Sequence, residues 1–473
     1  MITLSSIPAN SLRPAHLLEF DLWSGANGLP LNKQRLGIIA QKLAAGTAAA
    51  LQPVRVITKV DAGVLFGFGS IAYRMVMAAL RVYSSQEIWV IPQVDDGAAT
   101  AAAGNITLTG TATGPGVLTM EVGYDILEVG VVTGDTATTL AIRARAALNA
   151  AVELPVSFAG ATGVLAATFR NKGTCGNGFH LGGSCTAAGI SVASSDCSCG
   201  ATDPDIQSAY DAAATMRLHV ITPWSGGQTD IAKGKNHIET VSGPVEKKAG
   251  RVFAVVPSTT TVSAAIAIAQ AINHERVVVS MLPGSRSPTW EIAAAYGITE
   301  ALMSDPAEPT AGKILPGIHA PAPSSRLLGS EVEALLAGGI APLTVSDDAV
   351  QIERSATTRT SHNGMATLRL IDTNTIAILD YYRDSCLARY ATKFKGKKQT
   401  PYMLTAVNEE NYAVAKLLED RNILRDLHAH RAEFLSEDDS DISGRIRCSM
   451  PGPIVPGLYQ LFGKINLILP TDG

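Results

Sequence analysis

An α/β protein built on a parallel sheet is the fold class this sequence predicts, and the stretch from Arg251 to Leu282 carries the prediction. Val252 to Val256 is an unbroken apolar run closed by Pro257, as expected of a strand buried on both faces. Ser258 and the threonines after it can cap a helix, and the alanine-rich run to Asn273 favours one. Val277, Val278 and Val279 are β-branched and again continuous. Strand, helix and strand on short joins make a right-handed parallel βαβ unit. Such a sheet needs layers on both faces, so the flanking sequence should supply helices.

Composition bounds the class. At 473 residues the chain favours several domains. Hydrophobic residues make up 46% and charged ones only 17%, which suits much surface buried against partners and equally a large core. A net charge of −4 gives no general argument for nucleic acid or an anionic membrane. The N-terminus lacks the basic and apolar regions of a signal peptide. No apolar run reaches the roughly 18 to 20 residues of a membrane span.

Taken in order, Ala15 to Phe20 reads as a lone strand ahead of the turn-forming Gly25 to Gly28, and a lone strand must pair with something. Leu36 to Gln41, Val54 to Val60 and Glu87 to Ile91 read as strands, and Ile71 to Tyr83 as a helix. Ala98 to Ala201 differs in texture, being rich in Thr, Gly, Val and Ala. In it Asn105–Thr109, Val117–Val122 and Ile126–Val132 alternate as antiparallel strands do, Thr136 to Ala151 is helical, and Val156–Ala159 and Leu165–Arg170 are further strands. This is an inserted β-rich module. Asp203-Pro204 opens a helix to Met216, and Arg217 to Thr222 is a strand. Pro288 to Tyr296 is a helix. Ser330 and Glu333 form a capping box for a helix that Gly338 stops, before a strand at Ile340 to Val345. Beyond Asp347, strands are expected at Val350–Thr358, Ala366–Ile371 and Ile442–Ser449. Thr373 caps a long helix to about Phe394, Glu409 to Phe434 is helical, and Leu458 to Leu469 reads as a long apolar strand.

No catalytic arrangement is complete. Gly67, Gly69 and Ser70 lack the lysine of a P-loop and the third glycine of a dinucleotide fingerprint. Near Ala311-Gly312-Lys313, Ala307 stands where a P-loop needs its first glycine and Ile314 where it needs a hydroxyl. Asp230, His237 and Ser285 follow subtilisin chain order, yet no motif surrounds them. His428 and His430 are two apart on a helix and face different sides. No cofactor is expected.

From Gly297, the run Gly-Ile-Thr-Glu-Ala-Leu-Met-Ser-Asp-Pro-Ala-Glu-Pro-Thr-Ala-Gly-Lys-Ile-Leu-Pro-Gly-Ile resembles the tail sheath proteins of Mu-like contractile phages. So do Glu331–Ala337 with Gly338 to Leu343, the segment Val350 to Arg354, the helix start Leu370 to Thr373 and the lysine-rich Lys393 to Lys398. Ile7 to Asn10, Leu65 to Ser70, Lys172-Gly173-Thr174 and Gly176-Asn177 are similar as well. The resemblance implies a subtilisin-like parallel-sheet core without protease activity. It also implies an inserted β-rich outer domain, and an α+β C-terminal domain with extended arms that add strands to neighbouring subunits. The implied division is 1–24 N-terminal arm, 25–95 first part of the core, 96–201 outer domain with a cysteine-rich loop, 202–346 core, 347–458 C-terminal domain and 459–473 terminal strand and arm. The implied role is a sleeve that polymerises around a tail tube and contracts for genome delivery, in the virion tail after assembly in host cytoplasm. Its partners would be further copies of itself, the tube protein, and baseplate and tail terminator proteins, with no nucleic acid and no membrane insertion. With no phosphate-binding motif, contraction should draw on the lattice, with hinges near Gly25–Gly28 and Pro451–Gly457. The alternatives are the sheath of a related injection apparatus, a hydrolase on the same core, and a zinc-stabilised interaction protein.

Three sets of residues follow as site candidates. Leu17, Leu18, Phe20, Ile465, Leu467 and Leu469 would form the inter-subunit strands; otherwise the N-terminus is disordered and the C-terminal strand pairs within its own core. Arg389, Lys393, Lys395, Lys397 and Lys398 would meet acidic residues of a tube protein through breakable pairs, or else cap a solvated helix end. Six cysteines are present: Cys175, Cys185, Cys197 and Cys199 cluster among small residues, and Cys386 and Cys448 lie further on. The cluster has gaps of nine, eleven and one residues, with His180 inside and no Cys-x-x-Cys knuckle, so disulfides lead and zinc is second. Cys386 reads equally as a small core residue.

Overall fold

The computed structural model describes residues 29–160 and 162–467. They belong to two compact units, 33–377 with 456–467, and 378–455 with 29–32. No helix among the described residues is long and apolar enough to cross a membrane.

The larger unit opens with β1 (Leu36–Gln41), β2 (Val54–Val56), α1 (Lys59–Phe66), α2 (Ile71–Val82) and β3 (Ile88–Gln93). The inserted module follows as β4 (Ala103–Gly110), β5 (Gly116–Val122), β6 (Asp125–Val131), α3 (Ala137–Ala150), β7 (Val156–Ala159), β8 (Val164–Phe169), β9 (Leu181–Cys185) and β10 (Ile190–Ser198). Helix and strand then alternate through α4 (Gln207–Ala213), β11 (Val220–Pro223), α5 (Gln228–Ser242), β12 (Arg251–Val255), α6 (Val262–Ile272), β13 (Val277–Met281), α7 (Thr289–Ala301), α8 (Gly329–Ala337) and β14 (Ala341–Ser346). β15 (Ala349–Ile352) and a small hairpin of β16 (Ser361–His362) and β17 (Met365–Ala366) complete it.

The main sheet has eight strands in the order β15-β14-β13-β12-β11-β1-β3-β2. The six strands from β14 to β3 are parallel, and β15 and β2 close the two edges antiparallel. Every residue of β1, β12 and β13 is buried, which is why their sequences run apolar without alternation. α6 joins β12 to β13 as expected: Thr261 Oγ1 accepts from the Ala264 amide, and Asn273 ends the helix in the left-handed region. α7 is buried at every position from Trp290 to Ala301. Gly297 permits that close packing, since a Cβ there would lie 2.2 Å from Thr222 Cγ2 on β11.

The module splits into two antiparallel sheets, β10-β4-β8-β7 and β6-β5-β9. α9 (Thr373–Lys393) begins in the larger unit and continues into the smaller. There α10 (Pro401–Glu419) and the hairpin of β18 (Leu435–Asp438) and β19 (Ile446–Ser449) follow. The smaller core includes Ile378, Tyr382, Val414, Leu418, Leu427 and Phe434. Asp439 shapes the hairpin turn by accepting from Arg445, Arg447 and two backbone amides.

Several expectations are corrected. Val54 to Val60 is a short strand followed by α1, which Thr58 and Asp61 open as a reciprocal capping box. Cys175 to Cys199 is not a loop: β9 and β10 run through it and pair with β5 and β4. α5 forms over Gln228–Ser242, where the sequence predicts no element. The α8 cap uses Glu331 on the Leu328 amide, 2.8 Å, rather than Ser330 with Glu333. Val350–Thr358 shortens to β15, and Ala366–Ile371 to two residues of hairpin. The helix expected over Glu409–Phe434 runs instead from Pro401 to Glu419, and His428 and His430 lie beyond it in a turn. Residues 458–467 form no strand, and among the described residues no sheet edge pairs with them.

Two histidines, His237 buried and His219 half-buried, tie this fold to pH. Burial pushes the His237 imidazole down to about 4, against a smaller opposing effect of Asp211. Burial, then Arg217, Arg35 and Arg251, pushes His219 down to about 3. The unfolded chain takes up these protons near pH 6.5 while the folded chain refuses them. Stability is therefore full above about 6.5 and falls as pH drops toward 4, by roughly 2 kcal/mol per histidine between about pH 7 and 5. Urea titrations at the two pH values should show this loss, and His237→Gln should lose roughly 2 kcal/mol less than wild type over the same interval.

Candidate assembly interface

β11, β12 and β13 end at one edge of the sheet, where the loops after them border a cavity of about 340 Å³. This edge is where a doubly wound sheet holds a ligand. Here the module's Thr174 to Phe179 form part of the wall, and Trp290 Nε1 donates to the Cys175 carbonyl at 3.4 Å. Asp230, His237 and Ser285 are not joined into a relay. Asp230 accepts from Ser225 Oγ at 2.6 Å, and Ser285 Oγ donates to the His319 carbonyl at 2.7 Å. His237 instead stacks on Tyr210, ring centres 5.2 Å apart.

The module is tied to the core by buried charge. Glu291 on α7 is fully buried; its Oε1 accepts from Arg74 Nε on α2 at 2.6 Å, and its Oε2 from the Tyr124 hydroxyl at 2.6 Å. Arg74 Nη1 reaches Asp125 at 2.8 Å. Burial opposes the Arg74 charge, but Glu291, Tyr124 and Asp125 outweigh it, so the guanidinium stays charged. Burial and then Glu291 push the Tyr124 hydroxyl up. Tyr124 and Asp125 lie at the β5–β6 turn, so this one cluster fixes the module on two core helices.

Among the described residues, the C-terminal segment is the most exposed apolar stretch. Tyr459 is held under Arg354, whose Cζ lies 4.2 Å from the ring centre, and Arg354 grips Asp372 through two hydrogen bonds of 2.7 and 3.0 Å. Past this anchor Leu461, Phe462, Ile465 and Leu467 are 86, 90, 99 and 82% exposed. Ile465 and Leu467 thus lie outside any core, with their backbone in no strand. Apolar side chains this exposed in series mark a contact surface. Leu17, Leu18, Phe20, Leu469 and the turn at Gly25–Gly28 lie outside the described residues. The expected hinge at Pro451–Gly457 is partly tied down, since Arg425 donates to the Pro453 carbonyl and Val455 to the Ile423 carbonyl.

The basic run divides. Arg389 and Lys393 both pair with Glu410, at 3.4 and 2.5 Å, so neither points freely at a partner. Lys395, Lys397 and Lys398 are exposed and edge a pocket of about 370 Å³ in the smaller unit. All six cysteines are free. Cys197 and Cys386 are buried, Cys175 and Cys185 half-buried, and Cys199 and Cys448 exposed. Burial and then Asp196 push the Cys197 thiol up to about 12. Cys197 is a core cysteine, buried on β10 among the apolar side chains of the module. Among the described residues no group of three or more metal-binding side chains occurs, so the zinc reading has no ligand set.

No family model matches the chain. The chain is similar to the Mu-like prophage FluMu tail sheath protein of Haemophilus influenzae, with 26% identity over 409 residues, covering 84% of this chain and 83% of the relative. Its fold is similar to that of the sheath tail protein of Desulfitobacterium hafniense, with a TM-score of 0.50 and 15% identity over 90% of this chain and 94% of that one. The mixed α/β architecture with several sheets is that of a sheath protein.

Proposed function

We propose that this chain is the structural subunit of a contractile tail sheath. The observation that carries the reading is the similarity to a phage tail sheath protein along 84% of the chain. The exposed apolar segment after Tyr459 supports it, as an arm that finds its partner strand on another copy. A head-to-tail contact of that kind does not close and generates an open helix. The parallel core is read as subtilisin-like and non-enzymatic: its ligand edge is walled in part by the module, and its Asp, His and Ser have other partners. The module over 96–201 is read as the outer domain and the residues beyond 458 as an arm. The sleeve would surround a tube protein and meet baseplate and terminator proteins, in a virion tail assembled in host cytoplasm.

Electron microscopy of the purified chain tests the reading: hollow helical tubes support it, and persistent monomers reject it. A particle with a capsid and DNA separates a phage from a related injection apparatus. The tube contact is assigned to Lys395, Lys397 and Lys398, since Arg389 and Lys393 are engaged with Glu410. Reversing the three lysines to glutamate should weaken sheath loading on tubes at low salt about tenfold, and the difference should shrink as salt screens the pairs. Equal loading of both proteins at low salt would reject the contact.

A further inference from the structure

Two cysteines outside the module lie on facing elements of the smaller unit. Cys386 and Tyr390 are four apart on α9 and share a face. Met450 follows the end of β19, two residues after Cys448, and Cys448 and Tyr390 line one pocket. The two pairs meet: Cys386 Sγ lies 4.0 Å from Met450 Sδ, and the Tyr390 hydroxyl 3.7 Å from the same sulfur. Cys386 is 3% exposed. Cys448 is exposed, lies opposite Ser436 across the hairpin with its Sγ 3.5 Å from the hydroxyl, and borders the pocket that Lys395, Lys397 and Lys398 also line. An exposed thiol is accessible to a small oxidant. Burial, with Cys448 and then Glu410 adding, pushes the Cys386 thiol up to about 12, as expected of two sulfurs close enough to feel each other's charge.

We propose that Cys386 and Cys448 are an oxidisable pair that staples the β18–β19 hairpin to α9 within one chain. The oxidant is a small-molecule disulfide. Cys448 gives up its proton and attacks one sulfur of the disulfide, forming a mixed disulfide and releasing one small thiolate. Cys386 then gives up its proton and attacks Cys448 Sγ, forming the Cys386–Cys448 bond and releasing the second thiolate. The two thiolates take up the two protons, so two electrons pass from the protein to the small disulfide. Met450, with three rotatable bonds, swings out of the way. A two-stranded hairpin alone is marginal in water, and a cross-link closing a long loop restricts the unfolded chain most. Oxidation therefore rigidifies the hairpin. This pairing is independent of assembly, and its test uses unassembled chain, so its failure and that of the sheath reading are distinguishable.

The experiment equilibrates the full-length monomer with reduced and oxidised glutathione, blocks free thiols, and maps tryptic peptides with and without reductant. The expected result is a peptide joining Cys386 to Cys448 that disappears on reduction. The hairpin amides should also exchange at least about tenfold more slowly in the oxidised protein. In Cys386→Ala the reaction should stop with glutathione on Cys448. The proposal is overturned if Cys386 remains fully alkylated in the wild type, if Cys448 links a second chain or a module cysteine instead, or if hairpin exchange is unchanged once the bond has formed.

Discussion

Glu291→Ala is expected to destabilise the chain by about 3–5 kcal/mol, the cost of stranding a buried partner charge. The carboxylate is fully buried and the Arg74 side chain is only 4% exposed. Removing it leaves the Arg74 guanidinium in the core with Asp125 as its remaining charge partner, and the Tyr124 hydroxyl without an acceptor. The pair need not be strongly stabilising in net terms, because desolvating both charges offsets most of their attraction. A double-mutant cycle separates the two effects. Arg74→Met with Glu291→Leu should cost far less than the sum of the single changes, since no charge is left unpaired. Urea denaturation measures all four proteins, and additive single-site losses would refute the account. Because Tyr124 and Asp125 sit in the module, hydrogen exchange in β5 and β6 should rise in Glu291→Ala before the main sheet is affected.

Changing Leu461, Phe462, Ile465 and Leu467 together to serine should abolish assembly and leave the monomer intact. These side chains are at least 82% exposed, so the folded monomer gains almost nothing from them, and each change should stay within about 0.5 kcal/mol. In a strand added to another copy, alternate side chains enter pockets while the backbone completes a sheet edge, and four serines would lose that burial. Sedimentation should show at least a tenfold drop in the assembled fraction, with an unchanged melting temperature. Normal tubes would remove the arm from the assembly account. A melting temperature lowered by more than about 5 °C would mean that the segment packs on its own chain.

The parallel core was legible because strands buried on both faces cannot alternate. Val252–Val256 and Val277–Val279 announce themselves by continuous apolar character, and β12 and β13 are found there, fully buried. α6 was legible from its alanines and from a threonine placed to cap it. α5 was not. Its buried face depends on Ile231, Ile238 and Val241, with Gly234 and His237 between them, too sparse a stripe to stand out from its lysines and threonines. β9 and β10 were missed because Gly182, Gly183, Ser194 and Ser195 have little strand preference of their own. Their pairing with β5 and β4 makes them strands.

The site residues divide in the same way. An apolar C-terminal run and a cluster of lysines are visible in any sequence, because hydrophobicity and charge belong to single residues. Whether such a residue is free is decided by its neighbours. Glu410, far from Arg389 and Lys393 in sequence terms, pairs with both charges, while Lys395, Lys397 and Lys398 remain exposed. The same holds for the cysteines, where β10 buries Cys197 and leaves Cys199 in solvent two residues later. By itself the sequence determined the fold class, the inserted module and the resemblance to tail sheath proteins, because these rest on local preference and on patterns of residue type. The tertiary structure alone decided which strands share a sheet, which charges are spent inside the chain and which apolar side chains have no core to enter, because burial and pairing are set by residues distant in sequence.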